Sequence, residues 1–261
     1  MGRLDCSDDA GKRCLGGVAP ERLPLALAEL HRGLPVGDVL DLEACSGDRL
    51  DRPELDEDRL RDLLVGAGFE PDRMGAAGAP GRFVVRARRA RTLPDTVGPA
   101  MRLLICGLNP SLYAADAGVA FARPGNRFWP AALAAGLASV DRDPDHALRH
   151  HAIGMTDLVK RATVAADELN TAEYRTGLDR VERLVGWLQP GGVCFVGLAG
   201  WRAAVDRRAR PGRQSQRLGG VPVYVMPSTS GLNARCSLSE LVEHLRAGAS
   251  ALDRLGARGS H

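Results

Sequence analysis

Met101-Arg102-Leu103-Leu104-Ile105-Cys106-Gly107-Leu108-Asn109-Pro110-Ser111 is the stretch around which the rest of the chain is organised. Apolar side chains fill Met101 to Cys106, a run of the length expected for a strand buried on both faces. Gly107 to Ser111 breaks that run with a glycine, an asparagine and a proline. The loop then continues to Ala122-Arg123-Pro124-Gly125-Asn126-Arg127-Phe128-Trp129 before a helical pattern begins. A long loop at the carboxyl end of a strand is where open α/β folds place their ligands.

Beyond this loop, strands and helices alternate. Helices are expected over Phe128 to Ala138, in a short piece near Asp145 to His150, and from Thr171 to Leu188. In the last of these Val181, Leu184, Val185 and Leu188 share one face, and Pro190 and Gly191 end it. Val193 to Leu198 reads as a buried strand, Ala199 to Arg207 as a helix and Val221 to Met226 as a third core strand. Ser237 to Ala247 closes the pattern, with Ser237 and Glu240 spaced as a capping box. The order implies an α/β chain whose residues 101 to 250 form a three-layer α/β/α domain on a short, mostly parallel sheet, with 251 to 261 as a tail. The loop Pro227 to Arg235 also leaves a strand at its carboxyl end, so it is expected to face the first loop across one cleft.

Upstream, Arg91 to Ala100 contains two prolines and a glycine between periodic segments and reads as a linker. Residues 20 to 90 suit a smaller α+β module. Leu23, Leu25, Ala26, Leu27, Leu30 and Leu34 lie on a helix, Val39 to Leu42 on a strand, Glu57 to Ala67 on a second helix, and Phe69-Glu70 and Arg82 to Arg88 on two late strands. Residues 1 to 19 show no period and are expected to be poorly ordered.

The bulk composition is that of an ordinary soluble globular protein, 44% hydrophobic and 26% charged over 261 residues. With 35 Lys+Arg against 32 Asp+Glu the charge is nearly balanced, so net charge alone names no polyanionic partner. Only Lys12 and Lys160 are lysines; this arginine usage suits either phosphate recognition or a coding bias. The run from Arg207 to Arg217 is correspondingly either a source of electrostatic affinity or a solvated connector, and Arg86, Arg88, Arg89 and Arg91 leave the same two readings open. Cys6, Cys14, Cys45, Cys106, Cys194 and Cys236 include no C-x-x-C pair, so no zinc ribbon or iron–sulfur cluster is signalled. Without a signal-peptide or membrane-spanning apolar stretch, a cytoplasmic location and a monomer are expected, with no membrane partner, metal or cofactor.

Leu60-Arg61-Asp62-Leu63-Leu64-Val65-Gly66-Ala67-Gly68-Phe69, in its helix–strand–helix–hairpin setting, resembles the carboxyl-terminal half of a class I S-adenosylmethionine-dependent methyltransferase. No counterpart of that family's glycine-rich cofactor loop precedes Pro20. The resemblance therefore implies a truncated module without methyl transfer.

A second resemblance covers residues 101 to 246. Gly107-Leu108-Asn109-Pro110-Ser111, Phe121-Ala122-Arg123-Pro124-Gly125-Asn126-Arg127-Phe128-Trp129, Gly154-Met155-Thr156-Asp157-Leu158-Val159-Lys160-Arg161-Ala162-Thr163 and the loop Pro227 to Arg235 stand in order. Together they resemble the four motifs of the mismatch-specific uracil-DNA and thymine-DNA glycosylases, within the uracil-DNA glycosylase superfamily. That family cleaves the bond between a pyrimidine and its sugar in double-stranded DNA opposite guanine. The reaction needs a water aimed at the anomeric carbon and stabilisation of charge on the departing base. An asparagine orients such a water through its side-chain oxygen but takes no proton at neutral pH, so turnover is expected to be modest.

The resemblance implies Asn109 as the catalytic residue and a base pocket of Gly107, Leu108, Pro110, Ala114, Phe121 and Asn126. Within it Phe121 stacks on the extruded base, the backbone at Leu108 and Phe121 bonds its edge, and Ala114 leaves room for a thymine methyl. Asn126 either contacts the base or braces the loop, while Phe128 and Trp129 pack the following helix. Leu232 matches the wedge that fills the gap left by a flipped nucleotide. Gly231 and Asn233 would face the widowed base, and Ser228, Ser230 and Arg235 would contact phosphates. Ala234 is one residue more than the family pattern, and at Asp157 relatives carry Lys or Asn.

Overall fold

The computed structural model describes residues 13–45, 55–78 and 81–256. In chain order the strands are β1 (Arg13–Cys14), β2 (Val39–Cys45), β3 (Phe69–Ala76), β4 (Arg82–Arg89), β5 (Leu103–Gly107), β6 (Ile153–Asp157), β7 (Val193–Val196), β8 (Gly212–Leu218) and β9 (Val221–Met226). The helices are α1 (Leu23–Gly33), α2 (Glu57–Gly66), α3 (Leu112–Ala117), α4 (Phe128–Ala135), α5 (Pro144–His151), α6 (Thr171–Leu188), α7 (Leu198–Ala204) and α8 (Leu238–Gly256). Among the described residues no helix is long and apolar enough to cross a membrane.

The larger sheet has the order β6-β5-β7-β9-β8, with β6, β5, β7 and β9 parallel and β8 antiparallel on the edge. Every residue of β5, β6, β7 and β9 is buried, because helices cover both faces. One apolar cluster joins Phe128, Trp129 and Ala132 of α4 to Leu241 and Leu245 of α8 over Leu103, Ile105 and Tyr224. The opposite face packs Val181, Leu184 and Val185 of α6 and Trp201 of α7 against Leu104, Val193 and Val223. This is the three-layer α/β/α arrangement with a mostly parallel sheet. Local rules fix the helix ends: Asn170 caps α6 by accepting the Glu173 amide at 3.0 Å, and Ser237 and Glu240 exchange hydrogen bonds ahead of α8.

The smaller sheet has the order β1-β2-β4-β3 and is antiparallel apart from β1 on β2. Its expected helix–strand–helix–hairpin order is present, but it is not a detached unit. Leu60, Leu63 and Leu64 of α2 belong to the same apolar cluster as Val181 and Leu184 of α6, and Arg183 holds Asp62 by two bonds of 2.6 and 2.9 Å.

Three further expectations change. Arg13–Cys14 pairs with Leu42 and Glu43 and Leu15 is buried, so the stretch expected to lack order contains paired and packed residues; residues 1–12 lie outside the described set. The tail continues α8 as far as Gly256, and 257–261 lie outside the described residues. The segment read as a linker is buried. Thr92, Leu93, Asp95, Thr96 and Val97 are all inaccessible, and Thr96 bridges Met155 on β6. Two strands were also missing from the sequence reading, β6 inside the third motif and β8 inside the arginine run.

Candidate active site

β5 delivers the first loop to the carboxyl edge of the sheet. Ser111 there caps α3, its hydroxyl oxygen accepting the Ala114 amide at 3.1 Å. Just before it the Asn109 side chain is fixed by three acceptors. Its Nδ2 donates to Thr163 Oγ1 at 2.8 Å, to the Arg161 carbonyl at 2.9 Å and to the Pro110 carbonyl at 3.2 Å. A ring of acceptors decides which end of the amide is nitrogen. Oδ1 is left without a donor among the described residues, as a free acceptor at the cleft. Thr163 is itself held in register, its amide donating to the Pro110 carbonyl and its carbonyl accepting the Leu112 amide.

The cleft has a volume of about 410 Å³ and is walled by both loops: Leu108, Asn109, Pro110, Ala114, Phe121 and Asn126 on one side, Ser228, Thr229, Ser230 and Leu232 on the other. Phe121 sits at φ 57°, a left-handed conformation that bulky residues rarely adopt. Packing holds it there. Its ring stacks on Phe128 with centroids 4.1 Å apart, Phe128 meets Trp129 edge-on, and Trp129 donates Nε1 to the Ala120 carbonyl at 2.8 Å. Phe128 and Trp129 are therefore buried supports. Asn126 lines the cleft and also braces it, its Oδ1 accepting the Phe128 amide at 2.9 Å.

The second loop holds its own shape. Ser228 Oγ accepts the Ser230 amide and Ser230 Oγ accepts the Leu232 amide, at 3.2 and 3.3 Å. These bonds use the oxygens only. Leu232 stands 86% exposed at the tip, an unusual setting for a leucine. Asn233 is turned inward: its Nδ2 donates to the Ser228 carbonyl at 2.8 Å, so its amide braces the loop instead of facing outward as expected. Arg235 and Arg123, the latter on the cleft wall, are exposed and have no acidic partner among the described residues. Gly231 is a matter of space. A Cβ there would lie 2.8 Å from the Gly125 carbonyl oxygen, so the two loops touch at a point only glycine permits. Arg127 fastens them together. Its amide donates to the Thr229 carbonyl at 2.9 Å, and its guanidinium donates to the carbonyls of Asn233, at 2.6 Å, and Cys236.

Asp157 is the residue to which sequence reasoning assigned no role. It ends β6 at 7% exposure and lines the cleft, and among the described residues its carboxyl accepts no hydrogen bond. Burial raises its pKa to about 6 against the opposing pull of Lys160 and Arg180, with Asp95 adding to the rise. Gly107 is small because of it, since a Cβ on Gly107 would overlap Asp157 Oδ1. Near neutrality this carboxyl can accept or donate a hydrogen bond.

A buried charge network lies behind the cleft and comes from the supposed linker. Asp95 takes Lys160 Nζ and Arg180 Nη1 at 2.8 Å each and the Thr156 hydroxyl at 2.7 Å. Burial opposes ionisation of Asp95, yet Arg180 and Lys160 outweigh it and hold the pKa below the usual carboxylate range. Arg180 also donates to the Asp157 carbonyl at 2.7 Å, and the Thr92 hydroxyl donates to the Lys160 carbonyl. The segment that presents Arg161 and Thr163 to Asn109 is thus held from residues 92 to 95. Its partners lie too far away in sequence for any local pattern to reveal them.

A solution structure of a candidate uracil DNA glycosylase from Methanosarcina acetivorans is similar to 62% of this chain and 98% of its own, at 23% identity and a TM-score of 0.43. The sequence model of the uracil DNA glycosylase superfamily matches residues 94–246, from the buried segment before β5 through the loop Pro227 to Arg235 into α8. The chain belongs to the uracil DNA glycosylase superfamily.

Proposed function

We propose that the cleft hydrolyses the N-glycosyl bond of uracil, and secondarily of thymine, mispaired with guanine in double-stranded DNA, leaving an abasic site. The observation that carries this reading is the fixed Asn109 amide, whose free Oδ1 faces a cleft bounded by an aromatic ring and an exposed leucine. In this mechanism Leu232 enters the stack as the nucleotide leaves it, which is least costly at a mispair. The extruded base stacks against Phe121, a contact worth about 1–3 kcal/mol. Leu108 and Phe121 offer main-chain groups to its edge, and Asn126 completes the wall. Asn109 Oδ1 holds a water for attack on the anomeric carbon. The water's oxygen forms the new bond to that carbon, the electron pair of the broken bond leaves with the base, and the surplus proton passes to solvent. Ala114 and its short side chain leave room for the methyl of thymine. Ser228, Ser230, Arg123 and Arg235 at the rim suit phosphate contacts that position the duplex without reading sequence.

The test is single-turnover excision from duplexes carrying uracil, thymine, hypoxanthine or ethenocytosine opposite guanine. The expected ranking puts uracil first and thymine second, with Asn109→Ala abolishing cleavage and leaving duplex affinity within a few fold. Full activity in Asn109→Ala refutes the assigned role of the amide. Tight binding to the mispair without any alkali-labile product makes the protein a non-catalytic mismatch binder.

A further inference from the structure

The cleft and its rim use only part of the positive charge on this edge of the sheet. β8 runs antiparallel to β9, with Gly212 opposite Val225 and Arg213 opposite Tyr224. The start of β8 therefore lies at the carboxyl end of the parallel strands, the edge from which Pro227 to Arg235 also departs. Arg207, Arg208 and Arg210 lie in the turn that feeds β8, Arg213 follows, and all four are exposed.

The turn is built to present them. Arg202 donates Nε and Nη2 to the Ala209 carbonyl at 2.9 and 2.7 Å beneath the buried Ala209. Gln214 Nε2 ties the carbonyls of Arg210 and Gly212 at 3.0 and 2.8 Å, and Asp206 Oδ1 takes the Arg208 amide at 2.9 Å. The backbone is fixed by these bonds while the four arginines stay exposed. Several exposed arginines elsewhere find acids, as Arg91 does with Asp116, Arg161 with Glu173 and Arg183 with Asp62. Among the described residues none of these four has an acidic partner. Like charges crowded into one rigid turn repel each other, and a polyanion relieves that repulsion.

We propose that Arg207, Arg208, Arg210 and Arg213 form a second phosphate-binding patch that grips duplex DNA to one side of the flipped nucleotide. The proposal rests on the reading of the cleft as a DNA glycosylase site. Gly212 faces Val225, three residues before Ser228, which at ~3.3 Å per residue sets the patch about 10 Å or more from the wedge loop. With one phosphate on each strand per about 3.4 Å of helix axis, it meets the backbone several base pairs from the lesion. Arginine forks suit phosphate oxygens, and such contacts carry no sequence information.

The test uses the full chain in the Asn109→Ala background, binding a G·U duplex of about three helical turns between 50 and 200 mM salt. One protein carries Arg207→Gln, Arg208→Gln, Arg210→Gln and Arg213→Gln. A control for net charge carries Arg13→Gln, Arg22→Gln, Arg73→Gln and Arg82→Gln in the amino-terminal module. Each lost phosphate contact lowers the slope of log affinity against log salt by about 0.9, so the patch variant is expected to lose roughly two to four units and at least tenfold in affinity. The control is expected to keep both. Shortening the duplex arm on the patch side should weaken the parent protein to the level of the patch variant. Equal slopes for parent and patch variant, or an equal loss in the control, overturn the proposal. Failure of the Asn109-containing protein to excise any base overturns the cleft reading instead, and the slope comparison still decides the patch.

Discussion

Replacing Asp157 with asparagine should stabilise the protein above neutral pH. The carboxyl is buried at the cleft wall without a hydrogen-bond donor, and its pKa stands at about 6 instead of the ordinary 3.8. A raised carboxylate pKa means that the folded state binds the proton more tightly than the unfolded chain does. The stability linked to that proton is fully present below about pH 4 and is lost as the pH climbs through 6. A rise of about two units at ~1.4 kcal/mol per unit sets the loss at roughly 3 kcal/mol once the group is ionised. Asp157→Asn keeps the shape, removes the charge and recovers most of that energy, which for a chain of this size raises the melting temperature by roughly 6–12 °C. Thermal unfolding of parent and variant at pH 4.5 and pH 8 checks it. The two proteins should be nearly equal in acid and separated at pH 8. A difference that does not change with pH, or a less stable variant at pH 8, refutes the reasoning.

Other substitutions probe the supports of the cleft. Thr163→Val removes one acceptor that pins Asn109 Nδ2; at about 1–1.5 kcal/mol per bond this should slow single-turnover excision roughly tenfold without altering duplex affinity, and Thr163→Ser should restore the rate. Asp95→Asn leaves Lys160 and Arg180 buried without their anion and should cost about 3–5 kcal/mol by urea denaturation. Because the Asp95 pKa is lowered, that difference should shrink as the pH falls below the ordinary carboxylate range and the parent's own Asp95 becomes protonated. Leu232→Ala should leave the unfolding midpoint within about 0.5 kcal/mol, since the side chain packs against nothing, while excision at limiting enzyme falls on the order of tenfold or more.

The parallel core was legible because β5, β7 and β9 are continuous apolar runs between turn residues, and α6 and α8 carry their caps in the sequence. β6 was not, because Ile153-Gly154-Met155-Thr156-Asp157 is short and ends in polar residues whose partners lie on Asp95 and Arg180. β8 is an edge strand, and arginines and glutamines on an edge read as loop while protecting it from further pairing. Pro94 and Gly98 imitate a linker; only the distant cations of Lys160 and Arg180 reveal that Asp95 is buried. Within the site, motif order singled out Asn109, Phe121 and Leu232, and all three line one cleft. Asp157 was visible but without meaning until the cleft supplied its surroundings, and the inward turn of Asn233 depends on a hydrogen bond five residues back, to Ser228.

The Arg127 clamp has a mechanical consequence. Its bonds to Thr229, Asn233 and Cys236 make the Phe121 wall of the cleft and the leucine tip one stiff body, like the jaws of a calliper locked at a single gauge. Such a body would meet the proposed duplex with little left to order, so less of its contact energy would be lost on immobilising loops. Under the proposed function, the strain of bringing lesion and tip into step would then fall on the DNA, and helices already loosened by a wobble pair would yield first. Discrimination between sound and damaged duplex can thus arise from how readily the DNA bends to a fixed template, before any base enters the pocket.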